Sequence, residues 1–217
     1  MAGEPLELAR RAAAWVGRGL SPSQEDALCV YADWLIREAI PAGGLGPREA
    51  DRVWERHIAD SLVFGAAWKD RDPDEILDVG SGVGLPGIPM AIMYPGATVT
   101  LLDRGGRRVR LLRRAVGILA LPNVVIAQGD VFSVADEWGG MVFRGAVRPP
   151  EATGLAARLL TPGGRAVLGL SRRPEVPPKG RDLVNLAGAL GLSAELVQVP
   201  ADILDAAAWL LIMRLGD

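Results

Sequence analysis

The sequence predicts an α/β fold: a doubly wound, seven-stranded, mostly parallel sheet with helices on both faces, preceded by an N-terminal helical cap. Three observations carry this. From Asp74 onward, short apolar runs alternate with helical stretches, the pattern of strands joined by crossover helices. Residues 75 to 87, Glu-Ile-Leu-Asp-Val-Gly-Ser-Gly-Val-Gly-Leu-Pro-Gly, lead from one such run through a glycine-dense turn into another apolar stretch. The first 70 residues instead carry helical punctuation throughout.

In the N-terminal part, residues 4 to 20 carry Leu6, Leu8, Ala12, Ala13, Trp15 and Val16 and predict an amphipathic helix. Ser21-Pro22-Ser23-Gln24 has the form of a capping box with proline at the first helical position, opening a second helix that runs to about Ala39. Pro41 to Pro47 breaks it, and Pro47 begins a third helix through Trp54, His57, Ile58 and Leu62. Residues 1–70 are read as the cap and 71–217 as the sheet domain. Strands are expected at 75 to 79, 97 to 102, 123 to 127, 140 to 147, 164 to 170, 193 to 199 and 207 to 214, with helices at about 86 to 94, 105 to 120, 150 to 160 and 180 to 190. Turn signals such as Tyr94-Pro95-Gly96 and Thr161-Pro162-Gly163-Gly164 end them. The stretch Arg173 to Pro178 reads as a surface loop.

Composition limits the function. With 49% hydrophobic residues and no uninterrupted apolar stretch of about 18 residues, the chain predicts a soluble protein rather than a membrane one. The start, Met-Ala-Gly-Glu-Pro, shows no signal peptide, so a cytoplasmic location is expected. Cys29 and His57 are the sole cysteine and histidine, which predicts no zinc site. Cys29 sits among Ala27, Leu28 and Val30 and is expected in the core. A net charge of −2 argues against a chain that coats nucleic acid, yet six arginines fall between Arg104 and Arg114. These form either a solvated helix face or a set of phosphate contacts.

The glycine turn is built to hold a nucleotide-like cofactor. Gly82, Gly84 and Gly87 also satisfy the dinucleotide spacing, and Asp103, 19 residues after Gly84, suits a ribose in either cofactor class. Two features favour S-adenosyl-L-methionine (SAM). A carboxylate at Asp78 suits the aminoacid end of SAM and would repel a pyrophosphate. The chain also lacks a Tyr-x-x-x-Lys pair for hydride transfer. Gly129-Asp130 supplies a contact for adenine, or else a turn cap before Val131.

Trp54-Glu-Arg-His-Ile-Ala-Asp-Ser61, Leu77-Asp-Val-Gly-Ser-Gly-Val-Gly-Leu-Pro-Gly-Ile-Pro89, and Leu101-Leu-Asp103 with Arg107-Arg-Val-Arg-Leu-Leu112 resemble the bacterial 16S rRNA guanine-N7 methyltransferases, the glucose-inhibited division protein B family. The resemblance implies a class I SAM-dependent methyltransferase with a Rossmann-like sheet, SAM as donor and small-subunit rRNA, free or within the 30S particle, as acceptor, with no metal and no membrane expected as partners.

 The protein is expected to act as a monomer. Carried over residue by residue, Asp78, Gly80, Ser81, Gly82, Gly84 and Leu85 would shape the aminoacid side of the cofactor site, Asp103 and Arg104 the ribose, and Gly129 and Asp130 the adenine. His57, from the Arg-His-Ile motif, Arg144, and Arg172 would face the acceptor, with Arg144 also bordering the cofactor.

The sequence departs from the family in two places. Where the family has Asn-Leu-Thr, this chain reads Ile-Pro-Ala-Gly-Gly-Leu at 40 to 45; where it has Leu-Lys-Gly, this chain reads Gly-Leu-Ser-Arg-Arg at 169 to 173. Both fall in the part implied to meet RNA. A methyltransferase of a small-molecule acceptor and a SAM-binding paralogue without turnover therefore remain open beside the rRNA reading, with a nicotinamide enzyme behind them.

Overall fold

The computed structural model describes residues 3–217, with side chains described from Leu6 onward. Seven strands form one sheet in the order β3-β2-β1-β4-β5-β7-β6. They are β1 (Glu75–Val79), β2 (Thr98–Asp103), β3 (Val124–Gln128), β4 (Trp138–Phe143), β5 (Leu160–Gly169), β6 (Leu192–Val199) and β7 (Ala208–Leu215). All neighbours are parallel except β7, which runs antiparallel to both β5 and β6. Central β1 is buried from Ile76 to Val79, as a parallel strand covered on both faces must be.

The alternation along β1 divides the core. Ile76 faces a cluster that includes Leu28, Leu35, Ile58, Leu62, Ile88 and Leu112. Leu77 and Val79 face Met141, Phe143, Leu155, Leu168 and Leu183 on the other side. The first face is covered by α1 (Gly3–Trp15), α2 (Pro22–Trp34), the 50–68 segment, α4 (Gly87–Met93) and α5 (Gly106–Leu119), and the second by α6 (Pro149–Leu159) and α7 (Gly180–Ala189). Residues of the helical N-terminal part thus share one apolar cluster with the sheet.

The expected capping box is present: Ser21 Oγ accepts from the Gln24 amide and Gln24 Oε1 accepts from the Ser21 amide. Gln24 Nε2 also donates to the Ile92 carbonyl at 2.8 Å, so the same side chain satisfies the end of α4. Asn123 performs a similar service, donating to the carbonyls of Ala91 and Ala97 at 3.0 Å each.

Several expected elements differ. The first helix ends at Trp15 and not at residue 20, because Gly17 turns the chain at φ +79°. The second passes at Leu35 into a π turn through Ala39. The single helix expected from Pro47 is a succession of short pieces: a 3-10 turn (Ala50–Arg52), a π turn (Trp54–Ala59), α3 (Asp60–Leu62) and a further 3-10 run (Val63–Trp68). Strand β4 stops at Phe143, four residues before the expected end, and Gly145 at φ +68° turns the following loop. A short helix, α8 (Ala201–Leu204), joins β6 to β7 and was not foreseen. Cys29 is exposed, a correction to the expected core position. The buried stripe of α2 is Leu28, Tyr31, Ala32 and Trp34, and Cys29, one residue beyond Leu28, is rotated about 100° away from it.

Gly87, the first residue of α4, makes a test of this packing. Its amide donates to Asp78 Oδ2 at 2.9 Å, and a Cβ added there would meet the same oxygen at 2.5 Å and the Leu101 side chain besides. Alanine ordinarily stabilises a helix by about 1 kcal/mol over glycine. Here Gly87→Ala is expected to destabilise by about 1 to 3 kcal/mol through overpacking, read as a lower urea midpoint with an unchanged slope.

Candidate active site

The order of strands reverses between β1 and β4, and a cleft of about 830 Å³ opens beside their carboxyl ends, where open α/β sheets bind ligands. Its walls are the loops after β1, β2, β3 and β4, and Gly44 and Leu45 form a lip from the N-terminal part.

The glycines of the first loop divide into distinct roles. Gly80, Gly82 and Gly84 all have positive φ, at 69°, 63° and 101°. A Cβ on Gly80 would strike Ala146, and one on Gly84 would meet Ile88 Cγ1 at 2.7 Å. A Cβ on Gly82 would have nothing nearer than a backbone oxygen at 4.0 Å, so this residue keeps the wall of the cleft open. Gly80, Ser81, Gly82 and Leu85 line the cleft, whereas Gly84 lies behind it, against α4 and the Tyr31 hydroxyl. That hydroxyl donates to the Val83 carbonyl at 2.9 Å.

Two buried carboxylates hold this loop. Asp103, at the end of β2, accepts from the Gly82 amide at 3.0 Å and the Gly105 amide at 2.8 Å. Each of its oxygens retains a lone pair, and the residue lines the cleft. Asp78 does not line it: the side chain is fully buried below the loop, with Oδ2 accepting from Gly87 and Oδ1 lacking a partner. Burial pushes its carboxyl up to about 6, against the lowering effect of the Ser81 hydroxyl, the Gly87 amide and the charge of Arg144. The direct ligand contact expected of Asp78 is thus replaced by a hold on the start of α4.

Past β3, Gly129 and Asp130 reach the cleft. Asp130 Oδ1 also caps the 3-10 turn Val131–Ser133, accepting from the Phe132 amide at 3.0 Å, the turn-cap arrangement. Arg104 and Arg108 border the same side, and Arg108 lies 3.6 Å from Asp103 Oδ2. Phe132, 55% exposed, lines the cleft as well; its preference for such a position was not readable from the sequence.

Across the cleft, Arg144 follows β4 and is bracketed by the N-terminal part. Its Nε lies 3.2 Å from Asp60 Oδ2, and its Nη2 donates to the Arg56 carbonyl at 2.6 Å and approaches His57 Nδ1 at 3.2 Å. His57 Nε2 in turn lies 3.0 Å from Glu49 Oε2. The structure therefore brings His57 and Arg144 together, but only Arg144 lines the cleft. Arg172 does not line it either: its guanidinium donates inward, to the Leu204 carbonyl at 2.7 Å and the Glu55 carbonyl at 3.2 Å, and lies 3.7 Å from Asp60. The expected acceptor contact of Arg172 gives way to a tie between β5 and the N-terminal part. Sequence reasoning missed Glu49, Asp60 and Arg148; Asp60 at least was signalled by its i+3 spacing from His57.

Burial and the Arg144 charge lower the His57 pKa to about 4, with Glu49 opposing them. The imidazole is therefore neutral near pH 7. An unfolded histidine takes its proton near pH 6.5, so the folded state loses stability as pH falls from there to about 4. Asp78 acts with the opposite sign: its folded carboxyl protonates near 6 and its unfolded one near 3.8, so its burial becomes less costly over a similar range. In His57→Gln only the first effect is removed. The unfolding free energy of this variant relative to the unsubstituted protein is expected to rise as pH falls from 7 to 4.5, by on the order of 2 kcal/mol. Urea unfolding across that pH series measures the slope, and a flat difference would remove His57 as a buried neutral base.

Comparison with known proteins supplies the family. The model of the GidB family, described as rRNA small subunit methyltransferase G, matches residues 24–175. A ribosomal RNA small subunit methyltransferase G of Mycobacterium marinum is 36% identical over 193 residues, covering 86% of this chain and 82% of that protein. One from Acidothermus cellulolyticus is 37% identical over 134 residues, covering 62% of this chain and 60% of that protein. Among solved structures, a precorrin-6y C5,15-methyltransferase from Geobacter metallireducens aligns with a TM-score of 0.56 at 14% identity, covering 72% of this chain and 87% of that one. Fibrillarin of Aeropyrum pernix, solved with natively bound SAM, aligns at 0.52 and 17% identity, over 65% of this chain and 66% of that one. These structural likenesses establish the class I methyltransferase fold. The extent of the sequence matches goes further, and the chain belongs to the GidB family of rRNA small subunit methyltransferases.

Proposed function

We propose that this protein transfers the methyl group of SAM to N7 of a guanine in small-subunit rRNA, acting as a monomer, with residues 1–70 serving as a cap over the acceptor side. The observation that carries this reading is the two-sided cleft: an open glycine wall with the Asp103 carboxylate on one side, and the guanidinium of Arg144 on the other.

The wall fits SAM. Gly82 leaves room for a close approach, Asp103 retains lone pairs for two ribose hydroxyls, and Gly129, Asp130 and Phe132 border the space for an adenine. Bound there, SAM would supply an electrophilic methyl group on a sulfonium. Guanine N7 presents a lone pair and no proton, so the protein's task is alignment and charge placement rather than proton removal. The lining agrees with that demand. Asp130 caps a turn, Glu151 pairs with Arg148, and Asp103 holds two amides, so each acidic group of the wall is already engaged. Arg104, Arg108, Arg144 and Arg148 supply positive charge for a polyanionic acceptor.

Asp103→Ala is expected to weaken SAM binding by about 1.5 to 3 kcal/mol, the worth of a hydrogen bond to a charged acceptor, as measured by calorimetry. Unchanged affinity would remove Asp103 from the site. Arg144→Ala is expected to abolish transfer while SAM affinity is retained; normal turnover would exclude Arg144 from the acceptor side.

The decisive experiment is transfer of a labelled methyl group from SAM to 30S particles and to free rRNA, both from cells lacking this gene, with mass mapping of the product. Label at one guanine N7, with affinity for the RNA falling steeply as salt rises, is the expected result. SAM binding without label in either acceptor would overturn the rRNA reading in favour of a small-molecule acceptor or a protein without turnover.

A further inference from the structure

Arg144, which lines the cleft, is gripped by the N-terminal part from several directions. Three of its contacts are fixed: Nε to Asp60, and Nη2 to the Arg56 carbonyl and to His57 Nδ1. A guanidinium has five N–H bonds. Arg144 lines the cleft, and Nη1 is the part of its guanidinium left without a partner among the described residues.

The contact with His57 imposes a condition. An arginine N–H can only donate, so His57 Nδ1 must present a lone pair, which requires the proton of the neutral ring to sit on Nε2. Glu49 Oε2, 3.0 Å from Nε2, is an acceptor in the required place. The side chains are largely shielded, with 9% exposure for His57 and 24% for Glu49. The groups facing the imidazole are Glu49, Arg56 and Arg144, and the π turn Trp54–Ala59 that carries it also presents the Arg56 carbonyl to Arg144. π turns of this kind are often found at functional sites.

We propose that Glu49 is a positioning residue for methyl transfer: by accepting from His57 Nε2 it turns the Nδ1 lone pair towards Arg144 and holds that guanidinium with Nη1 aimed into the acceptor side of the cleft. His57 is then a positioning residue as well, acting through Arg144. Glu49 lies in the turn before the 3-10 segment Ala50–Arg52, away from the glycine wall, so its effect falls on transfer and not on SAM binding. The inference rests on the methyl-transfer reading above.

Because His57 is the only histidine of the chain, labelling with imidazole-15N histidine gives a single-site view of the tautomer in the intact protein. At pH 7 the unsubstituted protein is expected to show the Nε2–H form. In Glu49→Ala the Nδ1–H form should become populated, and kcat for methyl transfer to 30S particles should fall by on the order of tenfold to a hundredfold, with SAM affinity unchanged. Glu49→Gln, which keeps the shape and can either donate or accept, should give a mixture of tautomers and an intermediate kcat. It also serves as the test if the alanine variant fails to fold. A normal kcat in both variants, or an unchanged tautomer, would overturn the role of Glu49 alone. If the unsubstituted protein binds SAM but methylates neither 30S particles nor free rRNA, the rRNA reading fails, and this inference with it.

Discussion

Of the two buried carboxylates that hold the turn from Val79 to Gly87, Asp78 fixes its far end, and the geometry of the cleft depends on that hold. Asp78 Oδ2 takes the Gly87 amide, the first of the amides of α4, while the two neighbouring strands, β2 and β4, fix Asp78 itself by its register with Leu101 and Val142. A carboxylate with no exposure is costly to bury, and burial accordingly raises its pKa to about 6. What offsets the cost is partly the amide and partly the positive field of Arg144. The same aspartate therefore links the cofactor wall to the arginine opposite. It also accounts for Gly87, whose missing Cβ gives the carboxylate its space.

Arginine joins the N-terminal part to the sheet at several further points. Arg107 donates to the Ala42 carbonyl and Arg114 pairs with Glu38, so two of the six arginines between 104 and 114 fasten α5 to the N-terminal part. Arg172 reaches Asp60 from the end of β5, and Arg165 pairs with Asp70. Those of them that are exposed, such as Arg114–Glu38, contribute little stability. Their value here is geometric, since a planar fork with several fixed donors defines an orientation that an ammonium does not. Arg104, Arg110 and Arg113 are exposed and make no ion pair among the described residues. The arginine run is thus neither wholly a solvated face nor wholly a phosphate surface.

The strands were legible because a parallel sheet covered on both faces leaves continuous branched apolar runs, as in Ile76-Leu77 and Leu101-Leu102. Asp103 was legible because its place at the end of β2 follows from that sheet. The segment from 47 to 68 was not, since its alternation of 3-10 and π turns is set by what its carbonyls meet, including the Arg144 guanidinium 88 residues away in sequence. Arg172 was misread for a related reason: nothing local tells an arginine that faces a ligand from one that ties a carbonyl of α8. Asp78 shows the limit most clearly. Its position beside the glycine turn follows from the sequence, but the strand alternation turns its side chain under the loop, towards Gly87, away from the cleft.

The two departures from the family pattern can now be located relative to the cleft. The stretch 40 to 45 forms the lip: Gly44 and Leu45 line the opening, and a Cβ on Gly44 would strike the Val83 side chain. A small residue there lets the lip lie directly on the glycine loop, so the polar contact available to an asparagine is exchanged for close apolar packing. The stretch 169 to 173 lies at the end of β5, where Arg172 is drawn inward and Arg173 is exposed. The first change therefore lies at the rim of the cleft, and the second lies outside its lining. The centre of the acceptor side, where Arg144 is held by Asp60, His57 and the Arg56 carbonyl, is intact. A change at the rim alters how the acceptor is approached and gripped, whereas the alignment of the reacting atoms depends on the centre. Under the proposed function, such a pattern corresponds to an enzyme whose contacts to its RNA have shifted around a retained site of transfer.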